Sequence, residues 1–163
     1  MHKVAAKVNS LHGLVEEVNL LLEKGANVNQ ANNFGCTPLF NVSSIGHVEI
    51  VSLLLKKGAN INQARNDGAT PLHMASLNGY VQVVSLLLNN GANVNQADND
   101  GYTSLFIASM NGYVQVVASL LNHGANVNQV NMYGSSSLHI ACQINDVKVM
   151  HLLLKWKGKI LVQ

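Results

Sequence analysis

Aromatic and charged residues are both scarce in this sequence. Of its 163 residues, 5% are aromatic and 11% are charged, and the formal net charge at pH 7 is only +2. A charge this small gives no reason to expect a nucleic-acid partner or an anionic membrane surface. With few aromatic residues and many small aliphatic ones, the chain suits thin packed layers of side chains better than one deep core.

Long apolar runs are also missing. The longest ones, such as residues 51–55, are far shorter than the roughly 20 residues that a membrane helix needs. Residues 1–10 contain no continuous apolar segment of the kind that a secretory signal requires. We therefore expect neither a membrane span nor export.

A short stretch, GANVNQA, sets the organisation of the chain. Gly-Ala-Asn begins at Gly25, Gly58, Gly91 and Gly124, so successive copies are 33 residues apart without insertion or deletion. A fixed period of this length indicates a stack of one repeated unit. We expect a single domain made of units 1–31, 32–64, 65–97, 98–130 and 131–163, in which the first and last are terminal caps.

The second unit shows the predicted structure of each repeat. Thr37 offers a side-chain oxygen to cap a helix, and Pro38 follows at the first helical position, where no N–H is needed. This first helix should run to about Ile45. A second helix is predicted from the apolar spacing of Val48, Val51, Leu54 and Leu55, and a polar turn leads into the next unit.

These features resemble the ankyrin repeat. Residues 70–75 read Thr-Pro-Leu-His-Met-Ala, which is similar to the family's T-P-L-H-x-A, and the V-x-x-V-x-x-L-L and G-A-N-V-N patterns follow at fixed distances. The resemblance implies an all-α fold with short β-hairpin fingers, a solenoid of about five stacked antiparallel helix pairs. Unit one departs from the pattern, since it has no T-P-L-H although it keeps Gly13, so its second helix should be intact and its first should be a polar-faced cap or a truncation. Units four and five lack the proline but keep a capping hydroxyl at Thr103 and Ser136.

The two cysteines indicate a reducing compartment. Cys36 and Cys142 fall in the second and fifth units, and two intervening layers would separate them by roughly 30 Å. A disulfide cannot bridge that distance. We expect a cytoplasmic, intracellular protein.

The histidines are interpreted as structural residues rather than metal ligands or catalytic groups. His73 and His139 occupy a position that Phe40 and Phe106 fill in other units, which is typical of packing. In the family this histidine bonds the backbone and the neighbouring threonine. No metal-ligand spacing, nucleophile motif or phosphate-binding loop is present. The sequence therefore predicts no enzyme, no metal and no cofactor.

The positions that vary between units are the candidates for recognition. They fall in the turns between units and at the ends of the first helices, which in ankyrin repeats form the concave face and finger tips that bind other proteins. Asp67 and Asp100 would favour a partner with a basic element. The predicted protein-binding residues are Asn33, Phe34, Ile45, Asn66, Asp67, Leu77, Asn78, Asn99, Asp100, Tyr102, Met110, Asn111, Met132, Tyr133 and Ile144.

Two other features of the sequence have structural explanations that are favoured over functional ones. The asparagine after each Gly-Ala-Asn-Val or Gly-Ala-Asn-Ile favours a turn, although the resemblance implies that it can also be hydroxylated; it occurs at Asn29, Asn62, Asn95 and Asn128. A basic cluster surrounds Trp156 at the end of the chain, and a solvated cap is favoured over a nucleic-acid contact; it comprises Lys148, Lys155, Lys157 and Lys159.

The leading functional hypothesis is a non-catalytic, monomeric module that binds a protein partner through the concave face and finger tips. One alternative is a structural spacer or scaffold segment of a longer ankyrin array. Another is a regulatory domain fused to an enzyme. Variation between units favours the first hypothesis, because a spacer would need only the residues that stacking dictates.

Overall fold

We describe a computed structural model, which gives the backbone of residues 2–160 and the side chains of residues 13–156. Predictions that concern the side chains of Lys157 and Lys159 lie outside these described residues. The helices of the described backbone are α1 (His2–Glu23), α2 (Pro38–Ile45), α3 (Val48–Lys56), α4 (Pro71–Leu77), α5 (Val81–Asn89), α6 (Ser104–Met110), α7 (Val114–Asn122), α8 (Ser137–Gln143) and α9 (Val147–Ile160).

The helices form two parallel rows. The first helices of successive units pack on one another in the order α2, α4, α6 and α8. The second helices pack in the order α1, α3, α5, α7 and α9, and a short turn joins the two helices of each pair. This arrangement is the all-α repeat solenoid that the 33-residue period predicts.

The first helices begin where the sequence places their caps. The side-chain oxygens of Thr37, Thr70, Thr103 and Ser136 each accept a hydrogen bond from the backbone N–H three residues later. Units four and five therefore keep their helix starts without the proline, because the hydroxyl satisfies an N–H that would otherwise lack a partner. The predicted capping role of Thr103 and Ser136 is confirmed.

The core lies between the two rows of helices. Leucines at equivalent positions of the second helices are almost completely buried, with at most 2% of their surface exposed: Leu54, Leu87, Leu120 and Leu153. They belong to one continuous apolar cluster that runs from unit to unit. Trp156 is half-buried and packs against this cluster, as expected of a residue near the end of the stack.

The terminal units and the turns differ from the prediction. Unit one is not a helix pair, because α1 is a single helix of 22 residues that continues through Gly13. No Thr-Pro start precedes a separate helix there, and Gly13 does not adopt the positive φ that ends α2 at Gly46. In the last unit α9 continues through residue 158 to Ile160. The hairpin strands are reduced to two isolated antiparallel bridges, Ala97–Thr103 and Val130–Ser136, in the described residues.

Candidate functional site

Four tight turns project the variable residues between units. We call them the finger segments. In each one the N–H of the first residue donates to the carbonyl of the fifth, and the carbonyl of the first accepts the N–H of the fourth; they are residues 32–36, 65–69, 98–102 and 131–135. Neighbouring finger segments are joined by backbone bonds, in which Asn66 donates to Phe34, Asn99 to Asp67 and Met132 to Asp100, at 3.1, 2.9 and 2.9 Å. The fingers therefore form one ordered row.

A second series of hydrogen bonds between units, which we call the asparagine ladder, explains why asparagine recurs two residues after each Gly-Ala-Asn. The side-chain oxygens of Asn29, Asn62 and Asn95 accept the backbone N–H of Asn60, Asn93 and Asn126 in the next unit, at 2.7, 2.8 and 2.7 Å. The Asn95 amide also donates to the Gly124 carbonyl at 3.2 Å. These three carboxamides thus have a structural role, as predicted, but they bond the backbone of the next unit and not their own turn, and none of the three residues has a positive φ.

The apolar residues predicted for recognition lie mostly at the surface. Phe34 and Tyr133 are the most exposed, at 72% and 71%, whereas Tyr102 is half-buried. The other exposed members are Ile45, Leu77, Met110, Met132 and Ile144. Exposed apolar side chains gathered on one region of a surface indicate an interaction site.

Most of the predicted asparagines have bonding roles in the backbone. The amide of Asn66 donates to the Asn33 carbonyl, and that of Asn99 donates to the Asn66 carbonyl, at 3.1 and 3.2 Å. Asn78 and Asn111 donate to carbonyls in the last turn of their own helices, at 2.9 Å each. These amides have little freedom to turn toward a partner, so the apolar residues are the stronger candidates.

A groove between units four and five brings three of the predicted residues together. Tyr102, Met110 and Tyr133 line a cavity of about 280 Å³. Its other lining residues are Phe106, Asn131, Ser135, Ile140 and Gln143. The ring centroids of Tyr102 and Phe106 are 5.0 Å apart, a distance at which tilted aromatic rings attract.

The groove extends toward the ends of the first helices. Met110 also lines a wider, open depression of about 580 Å³, together with Asn111 and Ile144. We call the two connected cavities the recognition groove. The narrower cavity is lined by five apolar or aromatic side chains and three polar ones, which is the usual composition of a binding site. The wider depression is more polar and includes Asn145, Asp146 and Lys148.

Phe34 belongs to a separate depression at the other end of the finger row. It shares a cavity of about 340 Å³ with Cys36, Arg65, Asn66 and Asp67. The Arg65 Nε donates to Asp67 Oδ1 at 2.9 Å, and this bond lowers the pKa of the Asp67 carboxyl to about 2. Arg65 also lies over the ring of Phe40, 5.2 Å from its centroid. Because Asp67 is neutralised by Arg65, it adds little to the predicted acidic character of the face.

Several predicted residues line none of these three cavities, and some lining residues were not predicted. Those outside are Asn33, Ile45, Leu77, Asn78, Asn99, Asp100 and Met132. Among the lining residues that the sequence did not predict, Arg65, Phe106 and Ile140 stand at positions that the comparison of units assigns to turns or to packing. The charged residues Asp146 and Lys148 were not predicted either. The sequence does contain an indication for Phe106, because it is an aromatic residue four positions after Tyr102, and the two rings are in contact in the structure.

The two histidines of the T-P-L-H position are structural, as predicted. The Thr70 N–H donates to His73 Nδ1 at 3.1 Å, so the ring proton resides on Nε2, which donates to the Tyr102 carbonyl at 3.0 Å. His139 makes the equivalent bonds to Ser136. Burial lowers the pKa of His73 from its ordinary value of 6.5, and the bond to the Tyr102 carbonyl opposes this shift.

His73 should make the stability of the fold sensitive to acid. The pKa of His73 in the folded state is below the unfolded value of 6.5. The stability that the buried, neutral His73 contributes to the fold is therefore fully present above pH 6.5 and is lost as the pH falls below 6.5 toward the folded-state pKa. We expect the unfolding free energy to fall by up to about 1 kcal/mol more between pH 7.5 and 5.5 in the parent chain than in His73→Phe. Urea denaturation at both pH values measures this difference. Equal losses in the two proteins would show that His73 does not titrate below 6.5.

Comparison with known families agrees with this geometry. A family model described as ankyrin repeats (3 copies) matches residues 3–98 and, in a second match, residues 93–163. The chain belongs to the ankyrin-repeat family. No curated protein sequence matches it significantly.

Ankyrin repeats are generally non-enzymatic modules for protein–protein interaction. Within the described residues of this ankyrin-repeat protein, no three His, Cys, Asp or Glu side chains are grouped so that they could hold a metal ion. None of the helices in the same part of the chain is long and apolar enough to cross a membrane.

Proposed function

We propose that this ankyrin-repeat protein is a non-catalytic, intracellular binding module of one five-unit domain, and that the recognition groove holds an apolar side chain of a partner protein. The observation that supports the proposal is the meeting of Tyr102, Met110 and Tyr133 around one cavity. Tyrosine and methionine are enriched at the centres of protein interfaces. The proposed reducing location agrees with the two cysteines, which form no disulfide.

The charge beside the narrower, aromatic part of the groove suggests what flanks that apolar side chain, since the wider part carries one acidic and one basic residue, Asp146 and Lys148. Asp100 is exposed and forms no ion pair within the described residues, and its carbonyl accepts the N–H of Met132 beside the groove. Asp67 is already paired with Arg65. We therefore propose a partner segment with an apolar anchor and a lysine or arginine next to it, and no nucleic acid.

The test begins with affinity capture from cell extract and measures the affinity of the captured protein for groove variants. Met110→Ala and Tyr133→Ala should each weaken binding by about 1–3 kcal/mol, as expected for anchors at the centre of an interface. Both side chains are exposed, so their removal should leave the fold intact. Tyr102→Phe tests the hydroxyl without disturbing the contact with Phe106.

Matched controls separate the groove from the rest of the surface. Gln115→Ala changes an exposed residue of a second helix and should leave the affinity unchanged. Phe34→Ala tests the other depression and should have little effect. If the groove variants bind as well as the parent chain, the proposed site is wrong, and if nothing is captured, the spacer hypothesis gains support.

A further inference from the structure

A further depression lies between the last two second helices, α7 and α9. It has a volume of about 310 Å³, and its floor is formed by Val114 and Leu152, which are half-buried and pack against the core. Its rim consists of Lys148, His151 and Lys155, which are all exposed. We call this depression the α9 groove. At Lys148 it adjoins the wider part of the recognition groove.

The positive charge of the rim has no counterpart in the described residues. The spacing of Lys148, His151 and Lys155 places them on one face of α9, with the two lysines about 10 Å apart along the helix axis. None of the three forms an ion pair there, since α7 has no charged residue and the sequence of α9 has no acidic one. The carboxylate of Asp146 accepts the N–H groups of Lys148 and Val149 at the start of α9, at 3.0 Å each. The rim is therefore free to attract an anionic group from outside.

This charge is specific to the last unit. The equivalent positions of α5 and α7 are uncharged, and in α3 one acidic and one basic residue are present; these positions are Gln82, Ser85, Asn89, Gln115, Ala118, Asn122, Glu49, Ser52 and Lys56. Stacking of the second helices therefore does not require a basic residue at any of them. Variation at exposed positions over a constant packed face is the same criterion that identified the finger residues as candidates for recognition.

The shape and composition of the α9 groove restrict the class of partner. An apolar floor inside a basic rim fits an apolar side chain that is flanked by negative charges, and the volume exceeds the roughly 150 Å³ in which a buried apolar cavity holds benzene. A nucleic-acid strand would need an aromatic side chain on which a base can stack, but Trp156, next to the rim, packs against the core. A membrane would need apolar side chains that protrude, whereas Val114 and Leu152 lie at the bottom of the groove.

We propose that the α9 groove binds an acidic segment of a partner protein. One apolar side chain of that segment enters the groove, and carboxylates on either side of it lie beside Lys148 and Lys155. His151, between the two lysines, offers a hydrogen-bond donor to the same segment. This site is independent of the one proposed above, because the anchors Met110 and Tyr133 do not line the α9 groove.

The experiment titrates the full chain with a synthetic peptide whose central leucine is flanked on each side by glutamates. Methyl NMR should show shifts at Val114 and Leu152 at peptide concentrations up to about 1 mM. A matched peptide with alanine in place of leucine should bind at least about fivefold more weakly, because it buries less apolar surface. A third peptide with lysines in place of the glutamates should not bind, and added salt should weaken the binding of the first.

Lys155→Gln tests the rim, and Lys56→Gln is its matched control. The two lysines are three periods apart at equivalent positions and both are exposed, so either substitution removes the same charge from the same place on a second helix. Lys155→Gln should weaken the binding of the leucine peptide by about two- to fivefold, as expected for an exposed ion pair. Lys56→Gln should bind the peptide like the parent chain.

Leu152→Ser tests the floor. Serine is the native residue at the equivalent position of unit four, Ser119, so the variant should keep the fold. The preference for the leucine peptide over the alanine peptide should disappear in this variant. Met110→Ala should bind the leucine peptide like the parent chain, so a failure of the α9 groove can be distinguished from a failure of the recognition groove.

Any of four results would overturn the proposal. The first is the absence of shifts at Val114 and Leu152. The second is equal binding of the leucine and alanine peptides to the parent chain, which would leave the floor without an occupant. The third is an equal loss in Lys155→Gln and Lys56→Gln, which would show an effect of net charge alone. The fourth is tighter binding to single-stranded DNA, or to vesicles of equal parts phosphatidylcholine and phosphatidylserine, that is lost in Lys155→Gln, since the occupant would then be a nucleic acid or a membrane.

Discussion

Leu87→Ala should lower the free energy of unfolding by about 2–5 kcal/mol, the range for a buried leucine truncated in a close-packed core. Leu87 lies in the central unit and is 0% exposed. The substitution removes apolar contacts and leaves a cavity that the neighbouring helices fill only in part. In a solenoid each unit contacts only its neighbours, so a defect in α5 weakens its interfaces with both α3 and α7.

Urea denaturation followed by helical circular dichroism measures this loss. Leu77→Ala is the matched control, because it truncates the same side chain in the same unit at a position that is 39% exposed. The control should cost less than about 1 kcal/mol. Similar losses in the two variants would contradict the tight packing described between the helix rows.

The repeated helices were predictable because their determinants are local. A capping hydroxyl with its partner N–H three residues later starts each first helix, and the spacing of Val81, Val84, Leu87 and Leu88 specifies one buried face. The terminal helices were not predictable in the same way. The positive φ at Gly46 and the helical conformation at Gly13 occur at equivalent positions, and the difference depends on what surrounds each glycine.

The candidate site was predictable in composition but not in arrangement. Comparing the units identified the exposed apolar residues of the finger segments and of the first-helix ends, because these positions vary from unit to unit. The grouping of Tyr102, Met110 and Tyr133 depends on the distance between a finger segment, the end of α6 and the following finger. The amide of Asn99 likewise donates to a carbonyl 33 residues away, which no local pattern reveals.

Gly68→Ala should destabilise the protein more than Gly91→Ala, although both glycines have nearly the same backbone conformation. Their φ angles are +85° and +88°, so alanine incurs the same left-handed penalty of about 1–2 kcal/mol at either position. Around Gly91 nothing lies within 4 Å of an added Cβ. At Gly68 that atom would lie 2.7 Å from the backbone N of Asn99, which donates the hydrogen bond to Asp67.

The additional loss of unfolding free energy in Gly68→Ala, compared with Gly91→Ala, measures how tightly the neighbouring finger segments are held together. Alanine there must push the two finger segments apart and weaken the bond between Asn99 and Asp67, so we expect a total loss of about 2–4 kcal/mol. Hydrogen exchange should show lost protection at the Asn99 amide in Gly68→Ala and normal protection in Gly91→Ala. If both variants lose equal stability and keep that protection, the bond from Asn99 to Asp67 does not hold these two finger segments together.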